Sequence, residues 1–332
     1  MKRIDAFLLK DFTKIGKKCE VGFVIDGKPA YERALASVRM RCYDMILKME
    51  ESGVKAELYK PYKKYSAVIF TKARTDKAVA LARKLYKRGT PVISDAFCEY
   101  LTDETRKDDW ERNNILQIMA CSDCVIAFSK SQYDQFVQYH HNVRIVEESV
   151  NDAFFQVQKE HVDKEKITLV YCGYSHNAKD TLVIKDVIRE LQDEYHCEIL
   201  YICEKDPCIK EFPYRYEKYV QKNIPTMLLE GDIMIAPRPM EGIDRLAHTL
   251  SKIAHPMAVG IPVVANPVPS YVGTPAILCT NEEEWKTALC KLIEDKEERK
   301  RVGKLSRDYI RKNYSQEIIC KQYLDILEEI KS

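Results

Sequence analysis

The stretch SKIAHPMAVGIPVVANP, residues 251–267, decides the reading of the fold. An apolar helical run ends at Gly260, Pro262 follows two residues later, and β-branched Ile261, Val263 and Val264 flank that proline. Glycine accepts the left-handed backbone that closes a helix, and proline cannot prolong one. The stretch therefore reads as helix, C-terminal glycine and buried strand. His255 is the odd member, a titratable imidazole inside the helix about one turn before the glycine.

The same alternation runs outward in both directions. Upstream, VGFVI (21–25) precedes a helix-like segment from Tyr31 to Ser52. AVIF (67–70) precedes Thr75–Arg88, whose Ala78, Leu81, Ala82 and Leu85 fall at helical spacing. PVIS (91–94), CVIAF (124–128) and VRIV (143–146) continue the series. A second series begins with ITLVY (167–171) and a helix near 178–195, then CEILYI (197–202), DIMIA (232–236) and PVVA (262–265). Short β-branched runs alternating with amphipathic segments predict βαβ units, hence an α/β fold with two doubly wound parallel sheets. The polar stretch between the series predicts a first domain over 1–150, a linker over 151–165 and a second domain over 166–312. Two charged helices, 282–314 and 316–330, close the chain. Functional loops are expected at the carboxyl ends of the strands, in a cleft between the lobes.

Composition narrows the class. With 332 residues, 45% hydrophobic content and a net charge of +2, the chain reads as a soluble globular protein of about two domains. No apolar run approaches the ~18–20 residues of a membrane span, and the N-terminus lacks a signal-peptide core. Residues 1–90 hold 22 Lys and Arg against 10 Asp and Glu, whereas the remainder is acidic. A basic first lobe can steer towards an anionic partner, such as a membrane surface, a lipid phosphate or a nucleic acid, or can be merely solvated. Of these partners the expectation keeps the membrane surface and the lipid phosphate and no nucleic acid. Twelve scattered cysteines read as reduced thiols of a cytoplasmic protein. Cys121 and Cys124 form one C-x-x-C without a second pair, which argues against zinc.

Several ordered segments resemble a known family. CSDCVIAFSKSQYDQF followed by VRIVEESVNDAFF is similar to the end of the first lobe and linker of GT-B glycosyltransferases, particularly family four. DIMIAPRP resembles their Asp-containing strand and its proline loop, and residues 251–267 resemble their "K-x-x-E-x-M-A-x-G-x-P-V-V-A" segment. SVRMRCYDMILKMEESG is similar to the opening helix of some members. The resemblance implies two Rossmann-like lobes, with the C-terminal helix (313–332) packing back on the first. It also implies a nucleotide-sugar donor, a glycan or lipid-linked acceptor and no resident cofactor or metal. One departure stands out: where most members carry two glutamates eight residues apart beside the donor, this chain has Ala247 and His255.

Transfer from a nucleotide sugar needs a cradle for the diphosphate, and fixed cations with helix N-terminal amides supply one without a metal. HTLSK (248–252) opens a helix, with Thr249 and Ser251 as caps and His248 beside them. Lys252 in the first turn is disfavoured by the helix dipole unless an anion sits there, and His255, three residues on, shares its face. Arg238 follows a buried strand between prolines. Gly173 and Lys179 lie at a strand-to-helix junction. Each of these also has a bland reading as a solvated or core side chain. In the first lobe, Gly27, Arg39, Lys72 and Arg74 are the expected acceptor side, with Arg41 opening the same helix as Arg39 as a further cation for an anionic acceptor. Asp95 ends PVIS, where its carboxylate is expected to face the cleft as an acid/base or acceptor contact, or to cap a helix.

The function expected is a metal-independent hexosyl transfer from a nucleotide-diphosphate sugar, retaining by resemblance, for a surface polysaccharide or glycolipid. Two rivals stay open: a sugar-nucleotide epimerase, and a non-catalytic partner subunit suggested by Ala247 and His255. No glycine fingerprint follows any strand, which disfavours a dinucleotide oxidoreductase.

Overall fold

The computed structural model describes residues 20–96, 101, 109–241 and 249–330. The chain forms two compact units, Met1–Ser149 with Gln316–Ser332, and Val150–Ser315.

The first unit holds one parallel sheet. Its strands are β1 (Glu20–Val24), β2 (Lys55–Leu58), β3 (Ala67–Thr71), β4 (Val92–Asp95), β5 (Cys124–Ala127) and β6 (Val143–Ile145), in the spatial order β2-β1-β3-β4-β5-β6. Every residue of β3, β4 and β5 is buried, because parallel strands covered on both faces need no polar side. One face packs under Val38, Cys42, Met45 and Met49. Ile319, Tyr323 and Leu327 of the C-terminal helix Gln316–Glu329 join them, so that helix belongs to this unit. The other face receives Val79, Ala82 and Leu85 of helix Asp76–Lys87, whose N-cap Thr75 accepts from the Ala78 amide. The helix over β1's crossover is irregular. It starts at Ala36–Val38, widens into a π turn at Arg39–Tyr43 and regains α geometry at Asp44–Glu51.

The second unit repeats the plan with β7 (Thr168–Cys172), β8 (Glu198–Cys203), β9 (Arg215–Lys218), β10 (Ile233–Ala236), β11 (Val263–Ala265) and β12 (Ile277–Leu278), ordered β12-β11-β10-β7-β8-β9. Counted within the unit this is the doubly wound order 3-2-1-4-5-6. The stretch 251–267 forms the expected elements. Helix Ser251–Ala258 ends in a Schellman motif, with the Ile261 amide bonded to the Pro256 carbonyl at 2.9 Å and the Gly260 amide to that of Met257 at 3.0 Å. Gly260 takes φ +86°, and β11 begins three residues later.

Several expectations need correction. Residues 151–165 pack within the second unit, where Phe154 joins the core and Lys159 meets buried Asp232 at 2.9 Å, so the stretch is no free linker. The helix expected over 282–314 is two helices, Glu282–Glu294 and Lys296–Tyr314. Asp295 breaks it by capping the second, accepting from the Glu298 amide at 2.9 Å. The unit boundary falls at Ser315, which bridges Val150.

Candidate functional site

In an open parallel sheet the ligand crevice lies at the carboxyl ends of the strands where the order reverses, because the loops diverge there. In the second unit this point is between β7 and β10. Gly173 follows β7 and Arg238 follows β10, so the fold brings these two sequence-predicted residues to one place. Gly173 leaves room for a neighbour: a Cβ there would sit 3.2 Å from the Tyr171 hydroxyl. The loop after it is anchored by Glu204, whose carboxylate accepts from the Ser175 amide at 2.8 Å and the Ser175 hydroxyl at 2.6 Å. Arg238 is 5% exposed, and its amide donates to Asn266 Oδ1 at 2.8 Å, which ties the β10 loop to the end of β11.

Lys252 reaches the same point from helix Ser251–Ala258. Its Nζ is shut from solvent, has no hydrogen-bond partner, and lies 4.1 Å from the centroid of the Tyr171 ring. Burial and the neighbouring Arg238 charge pull this ammonium down to about 7, only partly opposed by Asp180. The hydroxyls of Tyr171 and Tyr271 are also buried without partners. Burial pushes both phenols up, Tyr271 to about 12, and each feels the charges of Arg238 and Asp180. Lys252 thus lies against the Tyr171 ring, and the charges of Arg238 and Asp180 are felt by Lys252, Tyr171 and Tyr271 alike. Buried polar groups of this kind are normally paired, and an oxyanion is the partner that a buried amine beside a guanidinium lacks. Tyr171, Tyr271 and Asp180 were not singled out from sequence, since tyrosines in apolar runs read as core.

Other expectations fare differently. Lys179 is exposed, and its neighbour Asp180 is the buried residue of the pair. Thr249 and Ser251 do not cap the helix; their hydroxyls bond each other at 2.8 Å, and the N-cap is Leu250 without a side-chain bond. His255 is half-buried and stacks on Phe154, ring centroids 4.3 Å apart and planes 7° apart. His248 and Ala247 lie outside the described residues.

In the first unit the order reverses between β1 and β3. Gly27 follows β1 at φ +70° with open space where a side chain would be. Lys28 and Lys72, after β1 and β3, also adopt positive φ, 41° and 52°. Such backbone costs non-glycine residues about 1–3 kcal/mol and clusters at ligand sites. Lys72 Nζ donates to Ser37 Oγ at 3.3 Å, and Arg39 donates to the Ala34 carbonyl. The Arg74 amide donates to Asp26 at 2.8 Å, and its guanidinium pairs with Glu111 at 2.6 Å.

Asp95 corrects an expectation. It is 1% exposed and not turned to a crevice. Arg41 Nε contacts both its oxygens at 2.9 Å, Nη2 lies 2.8 Å from Oδ1, and the Tyr323 hydroxyl donates to Oδ2 at 3.0 Å. Burial alone would lower the Arg41 pKa; Asp95 and Tyr323 outweigh it and raise it. Burial, with Asp95, holds the Tyr323 phenol well above its ordinary range. The π turn at Arg39–Tyr43 carries Arg41 into this pair, which ties strand, helix and C-terminal helix together.

No protein-family model matches the chain, and no curated protein sequence does. Among solved structures it is similar to sucrose-phosphate synthase from Thermosynechococcus elongatus, at 11% identity and TM-score 0.67, over 95% of this chain and 99% of that one. It is also similar to Anabaena HepE in complex with UDP-glucose, at 13% identity and TM-score 0.63, over 93% and 99%. UDP-GlcNAc 2-epimerase from Methanocaldococcus jannaschii matches at 11% identity and TM-score 0.55, over 94% and 100%. Identity this low bears on the fold alone. Two six-stranded parallel sheets with their covering helices, matched over nearly the whole chain, give this protein the GT-B fold.

Proposed function

We propose that the chain is a glycosyltransferase that moves a sugar from a nucleotide-diphosphate sugar to a glycan or lipid-linked acceptor. The observation that carries this reading is the buried, unpartnered Nζ of Lys252 on the Tyr171 ring, with Arg238 beside it at the reversal point of the second sheet. Such a cradle suits the diphosphate of a donor and stabilises the charge that grows on it as the sugar leaves. Lys252 and Arg238 supply that charge without a metal. The first unit, with Gly27, Arg39, Lys72 and Arg74 around its own reversal point, would take the acceptor. Asp95, the nearest base candidate for an inverting reaction, is held by Arg41 and Tyr323, which supports retention of anomeric configuration. HepE, with the same fold, was captured with UDP-glucose, which supports a nucleotide-sugar donor. All ten described cysteines are free, which supports a reducing, cytoplasmic setting.

A thermal-shift panel of nucleotide sugars tests the donor. At about 100 times Kd a true donor should stabilise the fold by ~2.7 kcal/mol. Product analysis follows with and without acceptor. The epimerase among the similar structures makes the second reading concrete. An epimer formed without acceptor would establish that reading, and no binding by any nucleotide sugar would leave a non-catalytic homologue.

A further inference from the structure

The reversal point of the second sheet holds one buried amine that nothing in the described protein bonds. Lys252 Nζ has no hydrogen-bond partner and no contact with solvent. Its surroundings come from several elements. Tyr171 and Cys172 lie on β7, Cys203 on β8, Arg238 follows β10, Asp180 sits in the turn Asn177–Ile184, and His255 is on its own helix. Among these described groups Asp180 is the acid, against two cations. An ammonium held there beside a guanidinium has the Tyr171 ring face and Asp180 in its favour, but burial favours the neutral amine over it.

We propose that this pocket binds its anion together with a proton, with Lys252 as the proton acceptor and Tyr171 and Tyr271 as hydroxyl donors to the anion. The inference rests on the donor-site reading above and deepens it. In the empty pocket above neutral pH, Lys252 is an amine. A diphosphate brings negative charge, which outweighs Arg238 and draws a proton from solvent onto Nζ. The resulting ammonium then bonds the phosphate oxygens, while the Tyr171 and Tyr271 hydroxyls lose their unpaired state. The lowered ammonium of Lys252 agrees with this order of events. Arginine cannot act in the same way, because its guanidinium never releases its proton.

Calorimetry of the full chain with uridine diphosphate, in two buffers of different ionisation enthalpy, reads the proton directly. Near pH 8.5 the wild type should take up about one proton per diphosphate, and near pH 6 almost none. Lys252→Arg should bind with heats independent of buffer. Tyr171→Phe and Tyr271→Phe should each weaken uridine diphosphate by roughly threefold to tenfold while leaving uridine unchanged. Sulfate, a dianion without a nucleoside, serves as second probe. Buffer-independent heats for the wild type at pH 8.5 overturn the proton step while the donor site stands. Proton-coupled sulfate binding without nucleotide binding keeps the pocket and removes the donor reading. Failure of both anions to bind overturns both.

Discussion

Asp95 and Lys252 are buried charges at comparable places, the first at the end of β4 and the second beside the ends of β7 and β10, and their surroundings differ completely. Asp95 has both oxygens occupied by Arg41 and Tyr323. Lys252 has no hydrogen-bond partner for its Nζ. A saturated buried charge is part of the scaffold, since everything its charge can do is already done. A buried charge left open costs stability in the empty protein and regains it when a ligand arrives. The contrast gives Asp95 a place in the scaffold and is the ground for proposing that Lys252 binds a ligand.

The contrast breaks most visibly through the saturated pair. Arg41→Met would leave Asp95 buried and uncompensated and should cost about 3–5 kcal/mol, read as a large fall in the denaturation midpoint. A loss below ~1 kcal/mol would mean that the pair is dispensable. The next effect has the opposite sign. Lys252→Met removes an open buried charge and should raise the stability of the empty protein at pH 6. The pH dependence follows from the lowered Lys252 pKa, about 7 against an ordinary 10.5. Between those values the unfolded chain holds more protons than the folded one, so wild-type stability rises with pH across that window. The variant should lack that slope, and its advantage should shrink from pH 6 to pH 9. Parallel pH profiles for the two proteins would contradict it.

His255 gives a smaller effect. His255→Leu should keep the fold and lose about 0.5–1.5 kcal/mol from the stack on Phe154. As a ribose contact it should also weaken a nucleotide sugar several-fold, and an unchanged Kd would assign the imidazole to packing alone. Smallest of all is the expected peripheral contact of the basic first 90 residues with anionic lipid. Cosedimentation with anionic vesicles should fade as salt rises, since exposed charges are screened beyond ~8 Å at physiological ionic strength. Equal partitioning onto neutral vesicles would remove it.

The alternation of buried strands and amphipathic helices was legible in sequence because central parallel strands are continuous apolar runs. The edge strands were less so. KAEL (β2), RYEK (β9) and the two-residue β12 were missed, since edges are short and carry charges that the centre cannot. The positions of Gly173 and Arg238 after strands and of Lys252 at a helix start were legible. Asp95 was misread because its partners lie 54 and 228 residues away, beyond any local pattern. Tyr171 and Tyr271 left no signal, for an unpaired hydroxyl is a property of the packed surroundings and not of the residue type.

The most direct test of the open-charge account is the affinity of Lys252→Met for uridine and for uridine diphosphate, beside the wild type. A charge-assisted hydrogen bond is worth ~1.5–3 kcal/mol, so the diphosphate Kd should rise tenfold or more. Uridine affinity should stay unchanged. Equal losses for the two ligands, or none for either, would contradict a phosphate role for Lys252 and with it the assignment of this pocket.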